Sequence, residues 1–200
     1  MHKSGPLVDR FWENPLFVSD IYPQAVDKNP NGTSHNMKWL SGKDTPMTIK
    51  VAMVCMGNIC RSPMAEHVLR GKVEKAGLDV TVVSGGTGGW HIGKDAHPRT
   101  QKVLTDNGYT SNHNAKQIAT SWFDDYDYLI VMDKTNLTDV KEFARDDADL
   151  KKVSLLRDYD ENSPKGSEVP DPYYSDYNAY LEVFEMVDAA CDGLVNFLKD

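Results

Sequence analysis

The stretch from residue 54 to residue 63 reads Val54-Cys55-Met56-Gly57-Asn58-Ile59-Cys60-Arg61-Ser62-Pro63, with five residues between its first cysteine and its arginine. The backbone of such a loop can turn several N–H groups toward one bound anion. The arginine offers a planar fork to two oxygens of that anion. An apolar segment, residues 49–54, precedes the loop, and a helical pattern follows it. Because the first N–H groups of a helix are unpaired and partly positive, this strand–loop–helix order predicts an oxyanion site.

The chain beyond this loop alternates helices and strands. Further strands are predicted at residues 78–84, 126–132 and 152–156. Helices are predicted after Pro63, over residues 97–107, from residue 135 and along residues 181–198. Ser62 is suited to the N-cap of the first helix and Pro63 to its first helical position. We therefore predict an α/β three-layer sandwich, in which a four-stranded parallel sheet is flanked by helices and the loop lies at the carboxyl end of the first strand.

Residues 1–46 differ in composition from the rest of the chain. Five of the ten prolines fall there, among clusters of Asn, Gly and Ser that are typical of turns and coil. We predict a poorly ordered N-terminal extension, followed by one domain over residues 47–200. Met47 would also serve as a native start, so the alternative that the extension is not part of the native product stays open.

Composition limits the class of protein. A net charge of −8 argues against sequence-independent binding of nucleic acid, which requires a basic surface. No apolar run approaches the roughly 20 residues of a membrane span, and no secretory signal is visible. The three cysteines, Cys55, Cys60 and Cys191, are too few for a disulfide framework, which favours a cytoplasmic setting.

Two other anion or metal sites are disfavoured for the loop. The phosphate-binding motif of nucleotide triphosphatases, G-x-x-x-x-G-K-[ST], does not occur. A zinc site would need two further ligands beside Cys55 and Cys60. Gly57 and Asn58 are residue types that tolerate positive φ, which inward-pointing amides often require.

Residues 54–66 closely resemble the catalytic loop of the low-molecular-weight protein tyrosine phosphatases. The resemblance continues at Ser84-Gly85-Gly86-Thr87-Gly88-Gly89-Trp90-His91, at residues 131–137 and at Val169-Pro170-Asp171-Pro172-Tyr173-Tyr174. It spans about residues 48–200 in the order and spacing of the family. Only the leading segment lies outside it.

The resemblance implies a reaction through a phosphocysteine. Cys55 would attack phosphorus, and the helix N-terminus, the amide nest and a nearby arginine favour its thiolate. Arg61 would hold two phosphoryl oxygens, and Ser62 would donate a hydrogen bond to the sulfur. Asp171 would protonate the leaving oxygen and later act as base toward water. The mechanism requires no metal and no cofactor, and phosphate-like oxyanions are expected to inhibit it.

The remaining site residues are also assigned by the resemblance. The loop residues that contact the phosphate are expected to be Met56, Gly57, Asn58, Ile59 and Cys60, with Ser62. Asn58, Ser84 and His113 match the positions of a hydrogen-bonded support behind the loop.

Aromatic side chains indicate the kind of substrate. Trp90, Tyr173 and Tyr174 would be the walls of a slot that leads to the phosphate site. A phosphotyrosine reaches deep into such a slot, whereas a phosphoserine would be too short to meet Cys55. The expected function is hydrolysis of phosphotyrosine in protein substrates and of small aryl phosphates.

Three alternatives accompany this interpretation. A protein arginine phosphatase typically has a threonine at the position of Ile59, and an isoleucine there favours aryl phosphate. An arsenate reductase of the same fold would need two more downstream cysteines, but only Cys191 is present. A non-catalytic phosphoprotein-binding module would lack the nucleophile or the acid, and the chain has both Cys55 and Asp171.

Two hypotheses account for the presence of Cys60 in the loop. A Cys55–Cys60 disulfide formed under peroxide would protect the nucleophile from overoxidation and would be reversible by thiols. Alternatively, Cys60 is a small buried side chain that packs the loop. The sequence does not distinguish a redox-sensitive site from simple packing.

Overall fold

The computed structural model describes residues 48–199 of the 200-residue chain. The predicted N-terminal extension, residues 1–46, lies outside the described residues. The proposed domain boundary at residue 47 therefore stays a prediction.

The core of the fold is a parallel sheet. Its strands are β1 (Ile49–Cys55), β2 (Val80–Gly86), β3 (Tyr128–Val131) and β4 (Val153–Leu155). They lie in the order β2-β1-β3-β4, and every neighbouring pair is parallel. The predicted four-stranded parallel sheet is confirmed, with the loop at the carboxyl end of the first strand, β1.

Helices connect these strands. They are α1 (Arg61–Ala76), α2 (Pro98–Asp106), α3 (Trp122–Asp125), α4 (Lys134–Lys141), α5 (Asp147–Leu150) and α6 (Tyr177–Phe197), with a 3₁₀ turn at Leu156–Tyr159. The short helices α3 and α5 were not predicted from the sequence. Within residues 48–199, none of the helices combines the length and apolar character that crossing a membrane would require.

The side chains of β1 alternate between two buried layers. Val51, Met53 and Cys55 pack with α1, α2 and α6 on one face of the sheet. Ala52 and Val54 pack on the other face with side chains of α3, β3 and α4. Because both faces are covered, residues 51–55 of β1 are all apolar and buried, as expected for a central parallel strand. The alternation also turns Cys55, the last residue of β1, toward the layer that contains α1.

The start of α1 differs from the prediction. Cys60, not Ser62, is the N-cap, and its side chain makes no capping hydrogen bond. Ser62 lies in the first turn, and its hydroxyl bonds to the loop and to the carbonyl of Gly85. The prediction of Ser62 as N-cap was wrong because tertiary partners engage its hydroxyl. The predicted end of α1 at Gly77 is confirmed, with φ of 68°.

Candidate active site

Cys55 and Ser62 are in direct contact. Cys55 Sγ lies 3.0 Å from Ser62 Oγ, and both side chains are buried. Asn58 Nδ2 donates a hydrogen bond to the same hydroxyl oxygen at 2.9 Å. Because this contact occupies the acceptor side of Ser62, the single Ser62 proton is free to point to the sulfur or to the Gly85 carbonyl oxygen.

Asn58 holds the unusual turn of the loop. It is the one non-glycine residue with positive φ (53°) among the described residues. Its Nδ2 also donates to Ser84 Oγ at 2.9 Å, and its Oδ1 accepts from the N–H of Lys116 at 2.8 Å. These bonds offset the cost of about 1–3 kcal/mol of a left-handed non-glycine residue.

Gly57 and Asn58 are both residue types that tolerate positive φ, and in this loop only Asn58 adopts it. Gly57 is required for space instead, because a Cβ there would lie 3.1 Å from Cδ2 of His91. A larger residue would push the His91 ring away from the loop.

A second set of polar groups lies behind Asn58. His113 Nε2 donates to the Asn58 carbonyl oxygen at 2.7 Å, and Ser84 Oγ donates to Glu66. Burial lowers the pKa of His113, although the Asn58 carbonyl and Glu66 oppose this change. The imidazole is therefore neutral near pH 7, and its contact with Glu66 at 3.9 Å is not an ion pair. Glu66 lies within the motif, but nothing in its local sequence indicated this contact.

Arg61 is buried between two carboxylates. One terminal nitrogen binds Asp133, and the other lies 2.7 Å from Asp171 Oδ2. Burial is the largest influence on the pKa of Arg61 and lowers it, but the charge of Cys55 and the two carboxylates together raise that pKa above its ordinary value. The buried Nε of Arg61 has no hydrogen-bond partner among residues 48–199. The guanidinium is therefore fixed in place, and its Nε–H is unused.

Asp133 has two structural tasks. It caps α4 by accepting the N–H of Asn136 at 2.6 Å through Oδ1, while Oδ2 binds Arg61. From the sequence alone, Asp133 is a helix-starting or strand-terminating carboxylate that could support the site. Its place directly after β3, which neighbours β1, was the signal that it lies near the loop.

One cavity of about 290 Å³ joins the loop to the aromatic residues. The predicted site residues that line it are Cys55, Met56, Gly57, Ile59, Cys60, Arg61, Trp90, Asp171, Tyr173 and Tyr174. His91 also lines it and was not predicted. The predicted residues Asn58, Ser62, Ser84 and His113 do not line the cavity, and their side chains brace the loop from behind.

The rim of this cavity is apolar and exposed. Trp90 is 67% exposed and Tyr174 is 96% exposed, far more than large side chains in a core. Tyr173 and Tyr174 contact each other edge to face, with ring centroids 4.8 Å apart. Exposed aromatic rings beside a polar pocket are typical of a surface that receives a ring.

The hydrogen-bond partner of Cys60 differs from that of the nucleophile Cys55. Its Sγ lies 3.4 Å from the hydroxyl of Tyr180, and the Tyr180 ring stacks on His97. Burial raises the pKa of the Cys60 thiol to about 11, although the Tyr180 hydrogen bond opposes this. All three cysteines are free thiols. These features suit a packing role, and the redox role stays a prediction.

No group of three or more histidine, cysteine or acidic side chains within residues 48–199 is arranged to hold a metal ion.

Three histidines make the stability depend on pH. His67, His97 and His113 have pKa values below the ordinary value, chiefly because burial disfavours the charged form. When the pKa of a histidine falls on folding, the unfolded chain binds the proton more readily. The stabilisation is then complete above the unfolded pKa of about 6.5 and is lost as the pH falls below it. We expect the free energy of unfolding, measured in urea, to decrease from about pH 7.5 to about pH 5.5.

The variant His97→Asn is the control for this dependence. His97 is the N-cap of α2, and its Nδ1 accepts the N–H of Arg99 at 3.2 Å. Asparagine retains a capping oxygen but does not titrate. The variant should therefore show a shallower decrease than the wild type. A free energy of unfolding that rises toward the acidic pH would contradict the prediction.

A cysteine and an arginine that line one cavity at the carboxyl edge of a parallel sheet are the arrangement of a cysteine-dependent phosphatase. The family model "Low molecular weight phosphotyrosine protein phosphatase" matches residues 50–200. A low molecular weight protein-tyrosine-phosphatase of Streptomyces coelicolor is 46% identical over 157 residues, which cover 77% of this chain and 96% of that protein. The chain belongs to the low molecular weight phosphotyrosine protein phosphatase family.

Solved structures agree with this assignment. A protein tyrosine phosphatase from Entamoeba histolytica matches with a TM-score of 0.72 and 30% identity, over 76% of this chain and 97% of that one. The arginine phosphatase YwlE of Bacillus subtilis matches with a TM-score of 0.69 and 25% identity, over 76% of this chain and 97% of that one. The fold therefore accommodates more than one phosphoryl substrate.

Proposed function

We propose that this enzyme hydrolyses phosphotyrosine in proteins, and small aryl phosphates, through a phosphocysteine intermediate. Family membership establishes that it is a phosphatase of the phosphotyrosine class. The observation that carries the proposed mechanism is the single cavity shared by Cys55, Arg61 and Asp171 beneath an aromatic rim.

Cys55 is the proposed nucleophile. Its sulfur lies at the end of β1, beside the unpaired N–H groups at the start of α1. The Ser62 hydroxyl, 3.0 Å away, can donate to the sulfur when it is a thiolate and when it leaves phosphorus. Attack forms a sulfur–phosphorus bond and breaks the bond from phosphorus to the aryl oxygen.

Arg61 is the proposed phosphate clamp. Its unused Nε–H and the nitrogen now paired with Asp171 form the fork that two phosphoryl oxygens need. Asp133 keeps the guanidinium in place during this exchange through the ion pair on the other terminal nitrogen. A clamp fixed before the substrate arrives needs little reorganisation in the transition state.

Asp171 is the proposed general acid. An incoming phosphate competes with it for Arg61 and so releases its carboxyl group from the ion pair. The released carboxyl lies at the same cavity as the leaving aryl oxygen and can protonate it. In the second step the carboxylate takes a proton from the water that attacks the phosphocysteine.

The partner that fits this site is a phosphotyrosine-containing protein. Trp90, Tyr173 and Tyr174 form an apolar passage for a phenyl ring between solvent and the loop. Inorganic phosphate and similar oxyanions would occupy the loop and inhibit by competition. We propose no nucleic-acid partner, because the chain carries a net charge of −8. A cytoplasmic location also stays a prediction.

Arginine phosphatase activity is the second candidate, since YwlE shares the fold. In this chain the cavity wall includes the apolar Ile59, which offers no hydrogen bond to a guanidinium group. We expect kcat/KM to be at least about tenfold higher for a phosphotyrosine peptide than for a phosphoarginine peptide of the same sequence, because an unpaired polar group in a pocket costs about 1–3 kcal/mol.

The variant Ile59→Thr is the matched test of this preference. Threonine is also β-branched, lacks the terminal methyl group of isoleucine and adds one hydroxyl, so the ratio of the two kcat/KM values should fall. Faster turnover of phosphoarginine by the wild type would assign the enzyme to the other branch. If the wild type hydrolysed neither peptide, the proposed catalytic function would be refuted.

A further inference from the structure

A second cavity, of about 380 Å³, adjoins the phosphate cavity. The two share Ile59, His91 and Tyr173 as lining residues. Tyr173 forms the boundary, with its ring centroid 6.5 Å from that of His91 and 5.7 Å from that of His97. Residues of an extended peptide follow each other at about 3.5 Å. A peptide whose phosphotyrosine enters the first cavity therefore brings a flanking residue to the second.

The histidines at this second cavity have defined hydrogens. His97 Nδ1 accepts the N–H of Arg99 at 3.2 Å, and burial together with Arg99 lowers the pKa of His97. His91 Nδ1 lies 3.5 Å from Lys94 Nζ, which can only donate. In a neutral imidazole whose Nδ1 accepts, the hydrogen is on Nε2. His97 therefore presents an N–H donor, and His91 does so when its Nδ1 accepts from Lys94.

Lys94 adds charge to these donors. Its ammonium group has three N–H bonds and uses one toward His91, so two remain for a ligand. Lys94 lines the second cavity together with His97 and Gln101. The side-chain amide nitrogen of Gln101 is already bound to the Ala96 carbonyl oxygen at 2.6 Å. The free polar groups contributed by Lys94 and His97 are donors, which a carboxylate matches.

We propose that this second cavity is a substrate subsite for an acidic side chain, Asp or Glu, that flanks the phosphotyrosine. Lys94 and His97 are its specificity-determining residues. The proposal rests on the proposed function, because it concerns the residues around a phosphotyrosine in the first cavity. Asp95 also lines the second cavity and opposes an acidic ligand. Lys94 and Asp95, which are adjacent in the sequence, are thus expected to have opposite effects on the binding of an acidic side chain.

The test compares three phosphotyrosine peptides that differ at one flanking position, which carries Glu, Gln or Lys. Each of the two positions on either side of the phosphotyrosine is examined in turn. At one or more positions we expect kcat/KM of the wild type to favour Glu over Gln by about two- to fivefold, as for a partly exposed charge pair. Lys should be the poorest of the three, and added salt should reduce the preference.

Variants then assign the preference to residues. In Lys94→Gln the Glu/Gln ratio should fall to nearly 1, in His97→Asn it should fall partly, and in Asp95→Asn it should rise. A ratio taken within one protein cancels any general loss of activity. Equal rates for Glu and Gln peptides at all positions, or a preference that Lys94→Gln leaves unchanged, would overturn the proposal. A preference for Lys would instead make Asp95 the determinant.

A binding measurement separates this proposal from the proposed function. The affinities of the same peptides for the Cys55→Ser protein report the preference without turnover. A preference in binding but no hydrolysis by the wild type would refute the catalytic function and leave the subsite. Hydrolysis without any preference would refute the subsite alone.

Discussion

Replacing Cys55 by serine is expected to lower kcat for p-nitrophenyl phosphate by about 10⁴-fold or more. A serine hydroxyl is a weak nucleophile unless a general base removes its proton. Within residues 48–199, the one side chain hydrogen-bonded to Cys55 Sγ is Ser62, which is no base. The fork of Arg61 stays in place, so the variant should still bind phosphate-like anions. A loss of kcat with retained binding distinguishes an enzyme from a phosphoprotein-binding module.

The variant Cys191→Ser is the matched control for this loss. It carries the same chemical change at a buried cysteine of α6, outside the cavity. We expect a lower stability, because a hydroxyl is buried in the core, but nearly unchanged kcat in the folded protein. Equal rates for the wild type and Cys55→Ser would refute the phosphocysteine mechanism.

Strand positions could be predicted from apolar runs, but strand ends could not. The segment 78–84 was predicted as a strand, whereas β2 spans Val80–Gly86. Leu78 is not part of the strand, because its N–H donates to the Val73 carbonyl oxygen at the end of α1, at 3.0 Å. The strand extends to Gly86, because this residue pairs with Cys55 of β1. Both boundaries depend on contacts with other elements, which a local pattern does not contain.

The loop itself was predictable because its chemistry is local. The nucleophile, the arginine and the residue with positive φ lie within a few positions of each other. The partners of Arg61 were harder to predict, because Asp133 and Asp171 are 72 and 110 positions away. The resemblance indicated Asp171, while the ion pair with Asp133 required the structure. Glu66 was missed for a related reason, since its partner Ser84 belongs to β2.

Replacing Asp171 by asparagine is expected to lower kcat/KM for a phosphotyrosine peptide by about 10²- to 10³-fold, within the range for a lost general acid. Asparagine retains the shape and the oxygen that accepts the N–H of Tyr173 at 3.1 Å. It cannot donate the proton of a carboxylic acid to the leaving oxygen. The loss should therefore be largest for tyrosine, whose phenol has a pKa of about 10, and much smaller for p-nitrophenyl phosphate, whose phenol is more acidic.

The variant Asp133→Asn separates the acid role from the ion pairs of Arg61. Asp133 and Asp171 both bind the guanidinium, and asparagine can still cap α4 through its side-chain oxygen. If Asp133 acts only through Arg61, its replacement should lower kcat/KM by a similar factor for every leaving group. Across a series of substituted phenyl phosphates, kcat/KM should therefore depend more steeply on phenol acidity in Asp171→Asn than in Asp133→Asn. Parallel dependences would show that Asp171 also acts only through Arg61.

The second step of the reaction, hydrolysis of the phosphocysteine, provides an independent test of the role of Asp171. When water attack on the phosphocysteine lacks its base, the intermediate accumulates, and rapid mixing should reveal a burst of phenol before the steady state. After the burst, kcat should be nearly the same for all phenols acidic enough to leave without protonation, because hydrolysis of the intermediate no longer involves the phenol. One variant should then show both a steeper dependence of kcat/KM on phenol acidity and a kcat that hardly depends on it. Both effects are expected together only if the same carboxyl group serves as acid in the first step and as base in the second.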